Sequence, residues 1–230
     1  MKFTRRFAIG ITTAVALLAL QGTAQAEVEK VTIAVGGKSL FYYLPLTIAE
    51  QRGYFKEEGV NVEIVDFAGG SKALQAVVGG SADVVSGAYE HTIKLQGKKQ
   101  YFTAFVQQAR APQIVLAVST KTMPNYKTIA DLKGKKIGVT APGSSTNMVA
   151  SFVLDGAGVS SKEVSFIGVG AGSGAVAAMK TGQIDAIANL DPVISSLERD
   201  GAIKVLVDTR KMDATRQVFG GDMPAGSLYA

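Results

Sequence analysis

A pattern running from Ser71 to Asp83, SKALQAVVGGSAD, returns without a gap from Ser173 to Asp185 as SGAVAAMKTGQID. The identities are Ser71/Ser173, Ala73/Ala175, Ala76/Ala178, Gly80/Gly182 and Asp83/Asp185. Around the first copy the chain reads as a turn at Gly69-Gly70, a short helix from Ser71, a turn at Gly79-Gly80, a very short strand and a new helix from Tyr89. Two copies fall short of the three or more that a stacked-repeat solenoid needs. They fit two similarly built α/β lobes that face one another.

The rest of the chain alternates strands and helices, the pattern of a mostly parallel sheet with helices on its faces. In the first half, strands are predicted over 31–35, 60–67, 83–86 and 101–107. Helices are predicted from Leu44 to Arg52, with Pro45 well placed in the first turn, from Ser71, and over 89–96. Residues 54–59 read as a connector. A first passage between lobes follows at Gln107 to Pro112. Strands are then expected over 114–118, 136–140, 164–169, 186–189 and 203–207, with a helical turn at Thr128–Asp131. Helices are expected over 148–154, 173–180 and from Asp191-Pro192 to Arg199. From Asp208 the chain is expected to cross back. Gly220 to Ala230 reads as a turn and the start of an apolar strand with no closing helix, so the return is expected to be truncated.

The first residues carry a different message. Lys2, Arg5 and Arg6 precede an apolar run from Phe7 to Leu20, and Ala24-Gln25-Ala26 supplies a small-x-small cleavage site, which together describe a secretory signal peptide over 1–26. Its loss lowers the formal charge from +5 to +2, because it removes three basic residues and no acidic one. Thr4-Arg5-Arg6 hints at twin-arginine export, but Ala8 stands where that pattern prefers Phe. The chain has no cysteine, which excludes disulfides, thiolate metal sites and cysteine nucleophiles. Its Lys and Arg are scattered, with no basic stripe interleaved with aromatics, so no nucleic acid is expected as a partner. At 47% hydrophobic and 19% charged, with 26 Gly, the composition is globular.

The run from Leu44 to Glu63, LPLTIAEQRGYFKEEGVNVE, resembles the opening lobe of periplasmic substrate-binding proteins of ABC importers. Within them it resembles the nitrate/taurine/sulfonate group, related to thiamine-pyrimidine-precursor binders. The turn Gly69-Gly70-Ser71, the spacing Gly80-x-x-Asp83 and the run Ile129 to Val139, IADLKGKKIGV, continue the pattern over nearly all of the mature chain. The resemblance implies an α/β, two-lobe periplasmic-binding-protein fold of type II, with a ligand cleft between the lobes. Lobe one would span 27–112, lobe two 113–207, and 208–230 would begin the return. It implies a periplasmic solute-binding protein that captures a small polar or anionic organic molecule, such as a sulfonate, taurine or nitrate, for an ABC importer permease. It would be no enzyme, need no cofactor, and be a monomer when full length. A pyrimidine-precursor binder, a synthase-like enzyme and a ligand-sensing domain for a receptor are the alternatives; the synthases are cytosolic and carry a cysteine-rich motif.

In open α/β sheets ligands bind beyond the carboxyl ends of the strands, and two lobes closing on a hinge bury a small molecule between them. The candidate contacts are therefore the strand-to-helix turns: Ser39, Tyr42 and Tyr43; Gly70 and Ser71; Tyr89, Glu90 and His91; Ser144, Ser145 and Thr146; Asn189 and Asp191. Each has a plainer role. Ser71 and Ser145 would serve as N-caps, the tyrosines as packing, and Asp191 as a cap. Asp83 and Asp185 are expected to satisfy turn backbone. His91 is the single histidine, without partners at metal-ligand spacing or an adjacent nucleophile, so neither a metal nor a catalytic residue is expected. Helix starts and hydroxyls at Ser71 and Ser144-Ser145 point to an anion; Glu90 points to a ligand with N–H donors or positive charge. The residues leave both open.

Overall fold

The computed structural model describes residues 29–230; the expected signal peptide, 1–26, lies outside them. Strand β1 (Lys30–Gly36) leads through a 3-10 turn at Phe41–Tyr43 into helices α1 (Leu44–Arg52) and α2 (Tyr54–Glu57), then strand β2 (Asn61–Phe67). Helix α3 (Gly70–Val78) returns to β3 (Val84–Ala88), and α4 (Glu90–Gln96) to β4 (Ala104–Gln107). After a crossover come β5 (Val115–Ser119), β6 (Lys136–Val139), α5 (Ser145–Gly156), β7 (Ser165–Gly168), α6 (Ser173–Thr181), β8 (Ala186–Asn189), α7 (Val193–Arg199) and β9 (Ile203–Asp208). Helix α8 (Met212–Phe219) and strand β10 (Gly226–Tyr229) belong to a second crossover and its return.

Two five-stranded sheets result, ordered β2-β1-β3-β10-β4 and β7-β6-β8-β5-β9. The expected mostly parallel arrangement holds for four strands of each. The exceptions are β10, antiparallel to β3 and β4, and β5, antiparallel to β8 and β9. Both are the strands that enter a sheet straight from a crossover. Gly226 pairs with Ala88 at the end of β3, and Val115 with Asn189 at the end of β8. The parallel strands run towards the gap between the sheets, so a chain arriving across that gap can only run away from it.

The two crossovers lie side by side. Thr209, fully buried, accepts the N–H of Ile114 on its Oγ1 (2.9 Å) and donates that hydroxyl to the Ile114 carbonyl (2.7 Å). Ala225 N–H donates to Ala109 O (3.1 Å), and Ala109 N–H to Gly226 O (3.0 Å).

The repeated pattern has one physical meaning in both places. Ala73 and Ala76 pack α3 against Ala34, Val85 and Tyr229; Ala175 and Ala178 pack α6 with Val115, Ile187 and Ile194. Small side chains let each helix lie close on its sheet. Gly80 and Gly182 turn the chain back with φ of +74° and +82°, values a side chain would strain. The acids then clip onto the neighbouring strand. Asp83 accepts Thr32 N–H on Oδ2 (2.7 Å) and donates its own N–H to Thr32 O (2.9 Å). Asp185 does the same with Lys136, at 3.0 and 2.8 Å.

Four local expectations need correction. Residues 54–57, read as a connector, form the single turn α2. Helix α5 begins at Ser145, not Met148. Helix α8 stands in the return after Asp208, where no helix is predicted. Ser71 and Ser145 are not N-caps: Gly69 and Ser144 hold those positions, neither with a side-chain cap bond.

Candidate functional site

A cavity of about 600 Å³ lies between the sheets, beyond the carboxyl ends of their parallel strands. The first half contributes Tyr42, Ala88, Glu90 and Lys94, and the first crossover Pro112 and Ile114. Helix α5 contributes Ser145, Asn147, Met148, Val149, Ser151, Phe152 and Asp155, and the second crossover Phe219, Asp222, Met223, Pro224 and Ala225. The wall is mainly apolar with a few polar groups, the usual make-up of a small-molecule site. Phe152, half exposed, leans on Phe219 with ring centroids 5.0 Å apart, which joins α5 to α8 at the cavity's edge.

Of the residues expected at the site, Tyr42, Glu90 and Ser145 line this cavity. Tyr42 is held by a T-shaped contact with Tyr43 at 5.0 Å, and both are buried. Burial pushes the Tyr42 hydroxyl well above its usual range, with the Glu90 charge adding to the effect. Tyr43 moves the same way for the same two reasons. Glu90 is 7% exposed. Burial raises its carboxyl to about 7, against the pull of its own backbone N–H and of Lys94. Its Oε1 has no hydrogen-bond partner among the described residues.

Three other expected residues, Ser39, Ser71 and Ser144, lie where the two halves touch directly. Ser39 Oγ donates to Ala171 O (3.4 Å). Ser144 Oγ accepts Ser71 N–H (3.0 Å) and donates to Ser71 Oγ (3.1 Å), while Ser71 Oγ donates to Pro142 O (3.0 Å). The Ser71 and Ser144 hydroxyls and the Ser71 N–H, part of what suggested an anion site, are thus engaged within this contact, while Ser145 remains on the cavity wall. Gly70 sits beside them: a Cβ there would stand 3.4 Å from His91 Nε2. His91 is 2% exposed, lowered to about 4 by burial, and opens on a smaller cavity of about 260 Å³ together with Ser71.

The remainder are tied into scaffolding. Thr146 Oγ1 accepts Thr140 N–H (3.1 Å) and bonds the Thr140 hydroxyl (3.0 Å). Asn189 donates to Gly170 O (3.0 Å) and accepts Leu190 N–H (2.9 Å). Asp191 accepts Ser195 N–H and hydroxyl at 3.0 and 2.6 Å and faces Arg210 at 3.5 Å. Tyr89 lines a different hollow of about 230 Å³, with Phe105, Gln107 and Ser227.

Residues that sequence reasoning missed include Lys94, Met148, Phe152, Asp155, Phe219 and Met223. A signal exists for part of them. Ser145, Met148, Phe152 and Asp155 follow the spacing of one helix face, whereas a rule based on strand ends takes in only the start of that helix. Among the described residues no group of three or more His, Cys, Asp or Glu is placed to hold a metal ion.

Comparison with known proteins bears on the whole arrangement. Residues 40–214 match the family described as NMT1/THI5 like. The protein YtlA of Bacillus subtilis (strain 168) is 30% identical over 142 residues, 60% of this chain and 42% of its own. The 4-amino-5-hydroxymethyl-2-methylpyrimidine phosphate synthase of Schizosaccharomyces pombe is 26% identical over 111 residues, 48% of this chain and 31% of its own. A solved structure from Bordetella bronchiseptica RB50 is 66% identical with a TM-score of 0.87, covering 87% of this chain and 63% of that one. The alkanesulfonate-binding protein SsuA of Xanthomonas axonopodis pv. citri, bound to MOPS, is 23% identical with a TM-score of 0.66, covering 87% and 65%. The chain therefore spans under two thirds of the length of each. The fold is the two-lobe α/β periplasmic-binding-protein fold.

Proposed function

Because the chain belongs to the NMT1/THI5-like family, we propose that it is an extracytoplasmic solute-binding protein delivering a small organic molecule to an ABC importer permease. One observation carries this reading: a mainly apolar cavity of about 600 Å³ whose walls come from both halves and both crossovers. A molecule held there touches every part that must move if the halves part and close, so its binding favours the closed arrangement. Hydrogen bonds from few polar groups select it, and apolar contact retains it. No reaction is assigned to the site. A sulfonate, taurine or nitrate is one candidate ligand, the sulfonate supported by the naming of SsuA for alkanesulfonates. The Schizosaccharomyces pombe relative favours a second reading, a synthase acting on a pyrimidine precursor, which product formation would reveal.

The test is equilibrium dialysis of the purified protein against mixed sulfonates, amines, aromatic acids and pyrimidines. One compound should be retained stoichiometrically and recovered unchanged; a chemically altered compound would overturn the binding-only reading. In the same preparation, export predicts a mature chain beginning at Glu27, read by intact mass of protein released from the periplasm. A mass that still includes Met1 would count against that location.

A further inference from the structure

On the solute-binding reading, on which this inference rests, the ligand site is the cavity of about 600 Å³. Glu90 lies on its wall, is 7% exposed, and leaves Oε1 without a partner among the described residues. Buried polar atoms are satisfied in nearly all folded proteins, and one without a partner calls for an explanation. Tyr42, Lys94, Ser145, Asn147 and Ser151 carry side-chain donors on the same wall, yet none of them is bonded to this oxygen. The charges on the wall point the same way. Glu90, Asp155 and Asp222 are acidic and Lys94 alone is basic, with Asp222 paired to Arg216 at 2.6 Å, so the wall offers an anion no net attraction.

We propose that Glu90 is the recognition group of this cavity and that its ligand presents an N–H donor, as an amine, amide or amino-substituted ring, on an apolar body. The donor satisfies Oε1, and the body fills the space between Tyr42 and the Met148–Phe152 face of α5. This is the ligand class of taurine or an aminopyrimidine rather than of nitrate or a plain alkanesulfonate.

The carboxyl's raised position, about 7, makes the binding pH-dependent. A donor prefers the carboxylate, so affinity rises as pH climbs through 7 and falls below it. The groups facing Glu90 leave that window to it. The hydroxyls of Tyr42, Tyr43 and Tyr229 are pushed upwards by burial, and His91 is lowered to about 4. Lys94, one turn along the same helix, and Asp155 and Asp222 across the cavity also face it.

Matched probes test this by calorimetric titration of the full chain: taurine against ethanesulfonate, 4-aminopyrimidine against 4-methylpyrimidine, and benzamide against N,N-dimethylbenzamide. The donor-bearing member of a pair should bind about tenfold tighter or more, the scale of one charge-assisted hydrogen bond. Benzamide, neutral throughout, should weaken about tenfold from pH 8 to pH 6, one proton being taken up below the Glu90 midpoint. Glu90→Leu should erase the preference, and Glu90→Gln should retain part of it with no pH dependence. The pair comparison and pH series on the parent protein need no variant to fold. Equal binding of the two members, or a preference surviving in Glu90→Leu, overturns this inference and leaves the solute-binding reading standing. Binding of none of the six counts against both.

Discussion

Glu90 and His91 are adjacent, both buried, and each has a polar atom, Oε1 and Nε2, without a partner among the described residues. Burial moves them in opposite senses, because it disfavours the charged form of each. Glu90 holds its proton to about 7 in the folded protein, against 4.5 ordinarily. The folded state then carries the extra proton between those values, and stability falls as pH rises across them. His91 loses its proton already near 4, against 6.5. Here the unfolded chain carries the extra proton, and stability rises from pH 4 to 6.5. A full one-proton difference is worth roughly 1.4 kcal/mol per pH unit. In the parent the two slopes therefore oppose one another between pH 4.5 and 6.5. Substitution should separate them: Glu90→Gln should gain stability from pH 5 to 6.5, and His91→Gln should lose it. Urea unfolding at the two pH values reads both slopes; variants that follow the parent would show that neither group is perturbed as described.

At the scale of elements, the two Gly-Gly pairs fix how β1 meets α3. A Cβ on Gly36 would stand 2.2 Å from Gly70 N and 2.3 Å from Gly69 C. Those are backbone atoms, so a side chain cannot be accommodated by a rotamer change. Gly36→Ala should cost stability at the upper end of the about 1–3 kcal/mol usual for overpacking, while Gly59→Ala, with open space around it but a φ of +71°, should cost about 1 kcal/mol through backbone strain alone. Thermal unfolding of both variants decides this, and equal losses would show that the approach of β1 to α3 is not the constraint. Most elements are legible in the sequence because periodicity and turn residues act locally: Pro45 in the first turn of α1 and the Ala73/Ala76 face of α3 are visible in the chain itself. The turn α2 is not, since its four residues between Gly53 and Gly59 are too few to show a helical period. Helix α8 leaves two traces, Gly220 at its left-handed C-cap and the spacing of Met212, Thr215 and Phe219 along the face it buries. The antiparallel placement of β5 and β10 is set by where the chain enters each sheet, which no local pattern records.

Across the whole molecule, the site is legible only as a set of strand ends. That rule brings Tyr42, Glu90 and Ser145 together, and it also gathers Ser71 and Ser144, which face one another instead of the cavity. Nothing in a single chain segment tells a hydroxyl that meets a ligand from one that meets the opposite half; the distance between them depends on how the halves sit. Ser144 is fully buried and is the acceptor for Ser71 N–H and the donor to Ser71 Oγ, so removing its hydroxyl breaks two contacts across the gap at once. Ser71 N–H then loses its partner where the halves touch, at a cost of about 1 kcal/mol or somewhat more. That cost falls on the closed arrangement alone, because on parting the same N–H is free to bond water. A ligand that binds the closed form must meet it, and its apparent affinity falls by the same factor. Ser144→Ala should therefore bind the retained solute about fivefold to tenfold more weakly and, without solute, show a larger radius of gyration in solution scattering. Scattering and affinity both unchanged would show that the Ser71–Ser144 contact does not hold the halves together.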